Sequence, residues 1–216
     1  MARIHFLTSN QGKVREAALH LEPLGHDVLQ LHVEGIVEPQ SDDLEAVARS
    51  KIEQAKTHLP SKDAWILVED AGLFVRSLDG FPGVYSAHAL NTIGCAGLLR
   101  LLSHLQSKDL RVEAGLREAE FRAVACLRTP EGVLVGHGRC PGRIAATQDG
   151  EGGFGFDPIF IPRDLDLAGQ PVEAGENGEI STHGRTFAAV EPATKDVFSH
   201  RARALKDLFA QVPSER

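Results

Sequence analysis

The chain has 216 residues, 42% hydrophobic and 25% charged, enough to bury one sizeable core and far from the composition of disordered or fibrous proteins. Thirty acidic against 23 basic side chains leave a formal charge of −7, which argues against a general polyanion-binding surface and so against nucleic acid as a partner. No apolar run is long enough to span a membrane, no basic segment followed by a long apolar one opens the chain, and Cys95, Cys126 and Cys140 lie far apart without CxxC spacing, so a single domain over residues 1–216 in the reducing cytoplasm is expected.

In chain order, residues 3–8 alternate like a strand. Ser9-Asn10 then supplies N-cap chemistry before Val14, Ala17, Ala18 and Leu21 at helical spacing. A second helix is expected after Ser41, with Asp42 and Asp43 at the positive end of its dipole and Leu44, Val47, Ala48 and Ala55 as its apolar stripe. Lys51 falls on that stripe. Residues 65–68 read as a buried strand ending at Glu69-Asp70, and residues 79–84 as a turn-forming loop. A helical pattern covers residues 92–105. Residues 119–127 and 133–138 then read as an antiparallel pair joined through Thr129-Pro-Glu-Gly. The last helix is expected to start with Pro192 in its first turn and to bury Val197, Ala204, Leu205, Leu208 and Val212, with Arg201 on the same face. Strands alternating with helices early and meandering late predict an α/β fold with a mixed sheet.

Four groups of residues bear chemistry. Thr8-Ser-Asn-Gln-Gly-Lys13 stands where a strand turns into a helix, so backbone N–H groups and a lysine form an anion site, although no Walker A pattern is present and an ordinary capped helix reads the same way. Glu69-Asp70, with Glu38 as a distant partner, offers the carboxylate oxygens that magnesium takes alongside phosphate oxygens, or simply ends a strand. Lys51 and Arg201 interrupt apolar faces, which calls for an anion within reach of each unless the charge snorkels to water. The run 150–158 contains a formal GxGxxG, but Asp157-Pro158 follows at once and disfavours the helix that a dinucleotide site needs. That leaves a glycine loop presenting Phe154, Phe156 and Asp157 to stack on and hydrogen-bond a base, or a turn with core phenylalanines. The ten histidines form no close ligand pair, GxSxG is absent, and nothing marks a cysteine as a nucleophile.

Read together, TSNQGK (8–13), LVEDAGL (67–73), DGFPGVYSA (79–87), GGFGFDPIF (152–160) and KDVFSHRARAL (195–205), in that order, closely resemble the Ham1-type inosine triphosphate pyrophosphatases over nearly the whole chain. The resemblance implies a two-lobed α/β fold with an elongated mixed sheet flanked by helices, a substrate cleft between the lobes, and usually a homodimer. It implies hydrolysis of a nucleoside triphosphate between its α and β phosphates, with magnesium. Carried over by position, Thr8, Asn10, Lys13 and Lys51 hold the phosphates, Glu38, Glu69 and Asp70 serve the metal, Asp70 also activates water, and Phe154, Asp157, Lys195, Ser199, His200 and Arg201 form the base pocket. This sequence departs from the family pattern in its Glu-Asp pair, where Asp-Asp is common, in Ala71, where a hydroxyl residue is common, and in His88, where arginine is frequent.

Donors from imidazole and guanidinium would pair with the 6-keto group of inosine and xanthine and face the 6-amino group of adenine donor to donor. A Maf-type nucleotide pyrophosphatase is the alternative enzyme, against which the SHR segment argues. A nucleotide-binding regulator without turnover is the alternative outside catalysis.

Overall fold

A computed structural model describes residues 2–59, 61 and 63–213. Its strands are β1 (Arg3–Leu7), β2 (Asp27–Leu31), β3 (Trp65–Val75), β4 (Pro82–Gly83), β5 (Glu118–Thr129), β6 (Gly132–Ile144) and β7 (Phe160–Pro162). Its helices are α1 (Gln11–Leu21), α2 (Leu44–Ala55), α3 (Ser86–Thr92), α4 (Gly94–Leu101), α5 (Leu110–Leu116), α6 (Pro192–Phe198) and α7 (His200–Phe209). The sheet order is β2-β1-β3-β5-β6-β7, with β4 paired to β3. β1 pairs parallel with β2 and β3, while the β3–β4 and β6–β7 pairs are antiparallel, so the sheet is mixed as expected. Among the described residues no helix is long and apolar enough to cross a membrane.

The chain divides into two compact units. The first comprises Met1–Ala71, Arg122–Arg139 and His200–Arg216, the second Gly72–Phe121 and Cys140–Ser199. The core of the first joins Ile4 and Phe6 of β1, Ala17 and Leu21 of α1, Leu67 of β3, alternate residues 123, 125 and 127 of β5, and Ala204, Leu205 and Leu208 of α7. Period-2 strands and period-3.6 helices thus present their apolar sides to one another. The core of the second is more aromatic. Phe121 and Phe160 lie 4.5 Å apart between ring centroids, Phe160 and Phe187 5.2 Å, and Phe156 and Phe198 are buried with them.

Several elements depart from the sequence pattern, each for a local reason. β3 does not stop at Glu69-Asp70 but continues to Val75, because its later residues pair with β4 and bury Leu73 and Val75. The helix expected over residues 92–105 starts earlier, at Ser86, and breaks where Gly94 takes the left-handed φ of +63°. Carbonyls beyond its end are collected by the buried Arg117, whose Nη1 donates to Leu102 O at 2.8 Å. The last helix is also two pieces, interrupted at Ser199 with ψ of 123°. That interruption shifts the helical phase, so Val197 is 51% exposed and Phe198 takes the buried place. β2 and the short α5 carried no clear periodicity; β2 is an edge strand with no buried residue, so burial left no alternation to read.

Candidate active site

Asn10 caps α1 as its position predicts, its Oδ1 accepting from the N–H groups of Gly12 at 2.8 Å and Lys13 at 3.3 Å. Thr8 Oγ1 in turn accepts from Asn10 N at 3.1 Å. These bonds fix the strand-to-helix turn and with it the first turn of α1, whose dipole favours an anion. Lys13 reaches from that turn to β3, its Nζ donating to Glu69 O at 3.1 Å and lying 3.4 Å from Glu69 Oε2.

Glu69 and Asp70 are adjacent in the middle of a strand, so their side chains leave on opposite faces. Glu69 shares the face of Leu67, which packs with α1 and α7, and its carboxylate is fully buried. Arg201 of α7 donates to it twice, from Nε to Oε2 at 2.7 Å and from Nη2 to Oε1 at 3.2 Å. The remaining Arg201 amino group is bonded to Glu16 of α1. Burial alone would raise the Glu69 pKa, but Arg201 and Lys13 overcome it and hold the group down at about 2. Arg201 is held charged against its own burial by Glu69 and Glu16.

α7 can bring Arg201 this deep because β6 carries Gly136 and Gly138 beneath it. A Cβ at Gly138 would run into the carbonyl oxygen of His200, and one at Gly136 into that of Ala204. His200, at the start of α7, is buried, as is Ser199 before it.

Asp70 leaves β3 on the side of α2. Its Oδ2 accepts from Lys51 Nζ at 3.0 Å, and the same ammonium meets Glu38 Oε1 at 2.6 Å. Burial raises the Asp70 pKa from its ordinary value, with Lys51 and Lys13 opposing. Burial would lower the pKa of Lys51, yet Asp70 and Glu38 together leave it raised. The anions that Lys51 and Arg201 required from the sequence are thus Glu38 with Asp70, and Glu69 with Glu16.

In the second unit the glycine loop runs into a short 3-10 turn at Asp157–Ile159 and then β7, not into a helix. Asp157, 3% exposed, accepts at Oδ2 from Phe154 N and from Lys195 Nζ, both at 2.7 Å. Lys195 Nζ lies 4.6 Å from the Phe154 ring centroid and 5.7 Å from that of Phe187. Gly153 has a φ of +69° and a Cβ there would strike Asp157 Oδ2, so the turn admits only glycine. Phe154 is half-buried, whereas Phe156 is a core residue.

For two residues the geometry adds partners to the expectation. Glu69 was expected beside Asp70 at the metal, but the pleat separates the two and both Glu69 oxygens face Arg201. Arg201 was expected to offer its donors to a base, but its guanidinium is 2% exposed and bonded to two carboxylates. Among the described residues no three His, Cys, Asp or Glu side chains converge as a metal cluster. Two residues went unnoticed in the sequence. Glu16 stands one helical turn after Lys13, and that spacing is the signal that places both on one face. Phe187 carried no signal, because it reaches Lys195 only through packing.

A model of the Ham1 family matches residues 4–211. The chain is 40% identical to the dITP/XTP pyrophosphatase of Thermococcus kodakarensis over 205 residues, covering 95% of this chain and 94% of that one. It is 36% identical to the dITP/XTP pyrophosphatase of Pyrococcus horikoshii, covering 96% and 95%. Among solved structures, the Nucleoside-triphosphatase / dITP/XTP pyrophosphatase from Mycobacterium abscessus superposes with a TM-score of 0.65 at 30% identity, covering 98% of this chain and all of that one. The Staphylococcus aureus Ham1 protein superposes at 0.68 with 27% identity, each chain covered to 96%.

Proposed function

The chain belongs to the Ham1 family, and we propose that it hydrolyses the non-standard purine nucleoside triphosphates ITP, dITP and XTP to the monophosphate and pyrophosphate. The observation that carries this reading is the convergence of Glu38 and Asp70 on one Lys51 ammonium, next to the capped start of α1 and Lys13. Two carboxylates that share one cation fit a magnesium ion, which needs only one or two protein oxygens when phosphate oxygens complete its shell. Bound there, magnesium would neutralise charge on the triphosphate and make water a better nucleophile. Glu38 and Asp70 are the ligands proposed for it, and Glu69 supports them indirectly by fixing Lys13 and Arg201.

The chain's own groups account for the rest. Lys13, Lys51, Thr8, Asn10 and the first N–H groups of α1 position the triphosphate, which is most of what phosphoryl transfer asks of a protein. A water deprotonated by Asp70 attacks the α-phosphorus, the bond from that phosphorus to the bridging oxygen breaks, and pyrophosphate leaves with the electron pair. Burial raises the Asp70 pKa, which makes it a better base than an ordinary carboxylate. Phe154, Asp157, Lys195, Ser199 and His200 are assigned to the base, Phe154 by stacking and the others by hydrogen bonding.

A second copy of the chain is the proposed partner, supported by the family resemblance and by the exposed Phe81 and Tyr85 within one of its motifs. The cytoplasm is the proposed location, supported by three cysteines that form no disulfide. A panel of ITP, dITP, XTP, GTP and ATP, assayed with magnesium for pyrophosphate and orthophosphate, tests the reading. Pyrophosphate released first, and fastest from the 6-keto substrates lacking a 2-amino group, is the expected result. Orthophosphate as the primary product overturns the reaction, a preference for other bases favours the Maf-type enzyme, and binding without release favours the regulator.

A further inference from the structure

Glu38 lies in the segment between β2 and α2, residues 32–43, which has no regular structure, and its own side chain is 65% exposed. The residue before it, Val37, is 69% exposed, and Ile36 and Val33 are only partly buried, so apolar packing by itself holds this stretch weakly where Glu38 is presented. What holds it is a side chain of α2. Gln54 Oε1 accepts from Val37 N at 2.8 Å, and Gln54 Nε2 donates to Val37 O at 2.7 Å. This is the reciprocal pair of bonds that one residue of an antiparallel strand exchanges with its neighbour, here supplied by a carboxamide. The orientation of the amide is set by Ser50, since Nε2 also lies 3.3 Å from Ser50 O and 3.2 Å from Ser50 Oγ. Reversing the amide would face acceptor with acceptor and donor with donor.

Gln54 follows Lys51 by three residues on the same helix, so α2 grips the segment twice, Gln54 at the backbone of Val37 and Lys51 at the carboxylate of Glu38. Lys51 alone could not fix the position of Glu38. Its ammonium is at the end of a flexible stem and is shared with Asp70. The clamp holds the backbone itself, from the same helix whose Lys51 reaches Asp70.

The geometry points to Gln54 as a positioning residue that presents Glu38 beside Asp70 for the divalent cation accompanying the triphosphate. This deepens the reading above and rests on it. Gln54 touches neither substrate nor cation; it removes the freedom that the segment would otherwise lose on each binding event. Partners that orient a metal ligand typically contribute 10- to 100-fold in affinity. The bland role, a surface bond that merely stabilises the fold, would leave cation affinity alone.

The test compares the full-length wild type with Gln54→Met, which keeps the length and loses both bonds, and with Glu38→Gln. Binding of Mn2+ to the substrate-free protein is read by electron paramagnetic resonance, the magnesium concentration for half-maximal ITP turnover by kinetics, and folding by thermal unfolding. Gln54→Met is expected to weaken Mn2+ binding about 10-fold and to raise the magnesium requirement by a similar factor. Excess magnesium should restore its turnover, and its ITP:ATP preference should not move. Wild-type cation affinity in Gln54→Met, with Glu38→Gln impaired, would overturn the positioning role and leave the metal assignment standing. If Glu38→Gln matches the wild type in both cation readouts, the assignment of Glu38 falls and the inference falls with it. A Gln54→Met protein that excess magnesium cannot rescue, though folded, would also overturn it.

Discussion

In the first unit Lys13, Lys51 and Arg201 are interleaved with Glu16, Glu38, Glu69 and Asp70 across three helices, a strand and a loop, while in the second the buried pair of Lys195 with Asp157 sits among phenylalanine rings. The materials differ because the proposed tasks differ. Phosphates demand charge from several directions, and a cluster of like charges is tolerable only when each is interleaved with its opposite. A base demands a flat apolar surface and a few polar groups in fixed places, which one ion pair pinned between rings can supply. Both units rest on apolar cores, but the first carries in addition a set of interleaved charges in which losing one member leaves another buried without its partner.

The strongest challenge to this contrast is to break one pair in each unit. Arg201→Met takes the guanidinium from two carboxylates at once, leaving the fully buried Glu69 with only Lys13 opposite it, and should cost about 3–5 kcal/mol in urea unfolding. Lys195→Met should cost less, about 1–3 kcal/mol, because Asp157 keeps the N–H of Phe154. The contribution of Glu69 has a definite sign with pH. Its folded pKa of about 2 lies below the unfolded value of roughly 4.3, so the stabilisation is present above that value and is lost as pH falls toward 2. Glu69→Gln should remove that part of the acid sensitivity. Equal losses for the two pairs would erase the distinction between the units.

Chemistry separates the two faces of β3 in the next test. Asp70→Asn should lower kcat by at least about 100-fold with circular dichroism and thermal unfolding close to wild type. Since burial raises the Asp70 pKa and Lys51 opposes it, the acid limb of activity should lie at higher pH than an ordinary aspartate would give, and Lys51→Met should move it higher still. Near-normal turnover in Asp70→Asn would take the base role from it. The smallest expected effect sharpens the comparison most. Lys13→Ala should lower kcat/KM about 10- to 100-fold for ITP and ATP alike, since a charge-assisted contact contributes roughly 1.5–3 kcal/mol and this one does not touch the base. A changed ITP:ATP ratio in Lys13→Ala would show that Lys13 takes part in reading the base.

Much of this is legible in the sequence itself. Local signals were read correctly where they were local in cause: the Asn10 cap, the α2 stripe, the turn between β5 and β6, and the refusal of Asp157-Pro158 to open a helix. The placement of Lys51 and Arg201 on apolar faces correctly demanded anions. What it could not supply was which anions, because Glu16, Glu69 and Arg201 are far apart in the chain and meet only when α1, β3 and α7 pack together.

The helix breaks at Gly94 and Ser199 were missed for a related reason: apolar residues continue on both sides, and only packing shows that the phase has changed. Glu69-Asp70 is the clearest case. As a sequence it is a pair of neighbouring carboxylates suited to one ion; in a continuous strand the pleat sends one to Arg201 and the other to Lys51. The chain by itself determined the inventory, the family pattern and the alternation of strands and helices, since these depend on residue type and short spacing. The tertiary structure alone decided which charges neutralise one another, because that depends on distances across faces that no local periodicity encodes.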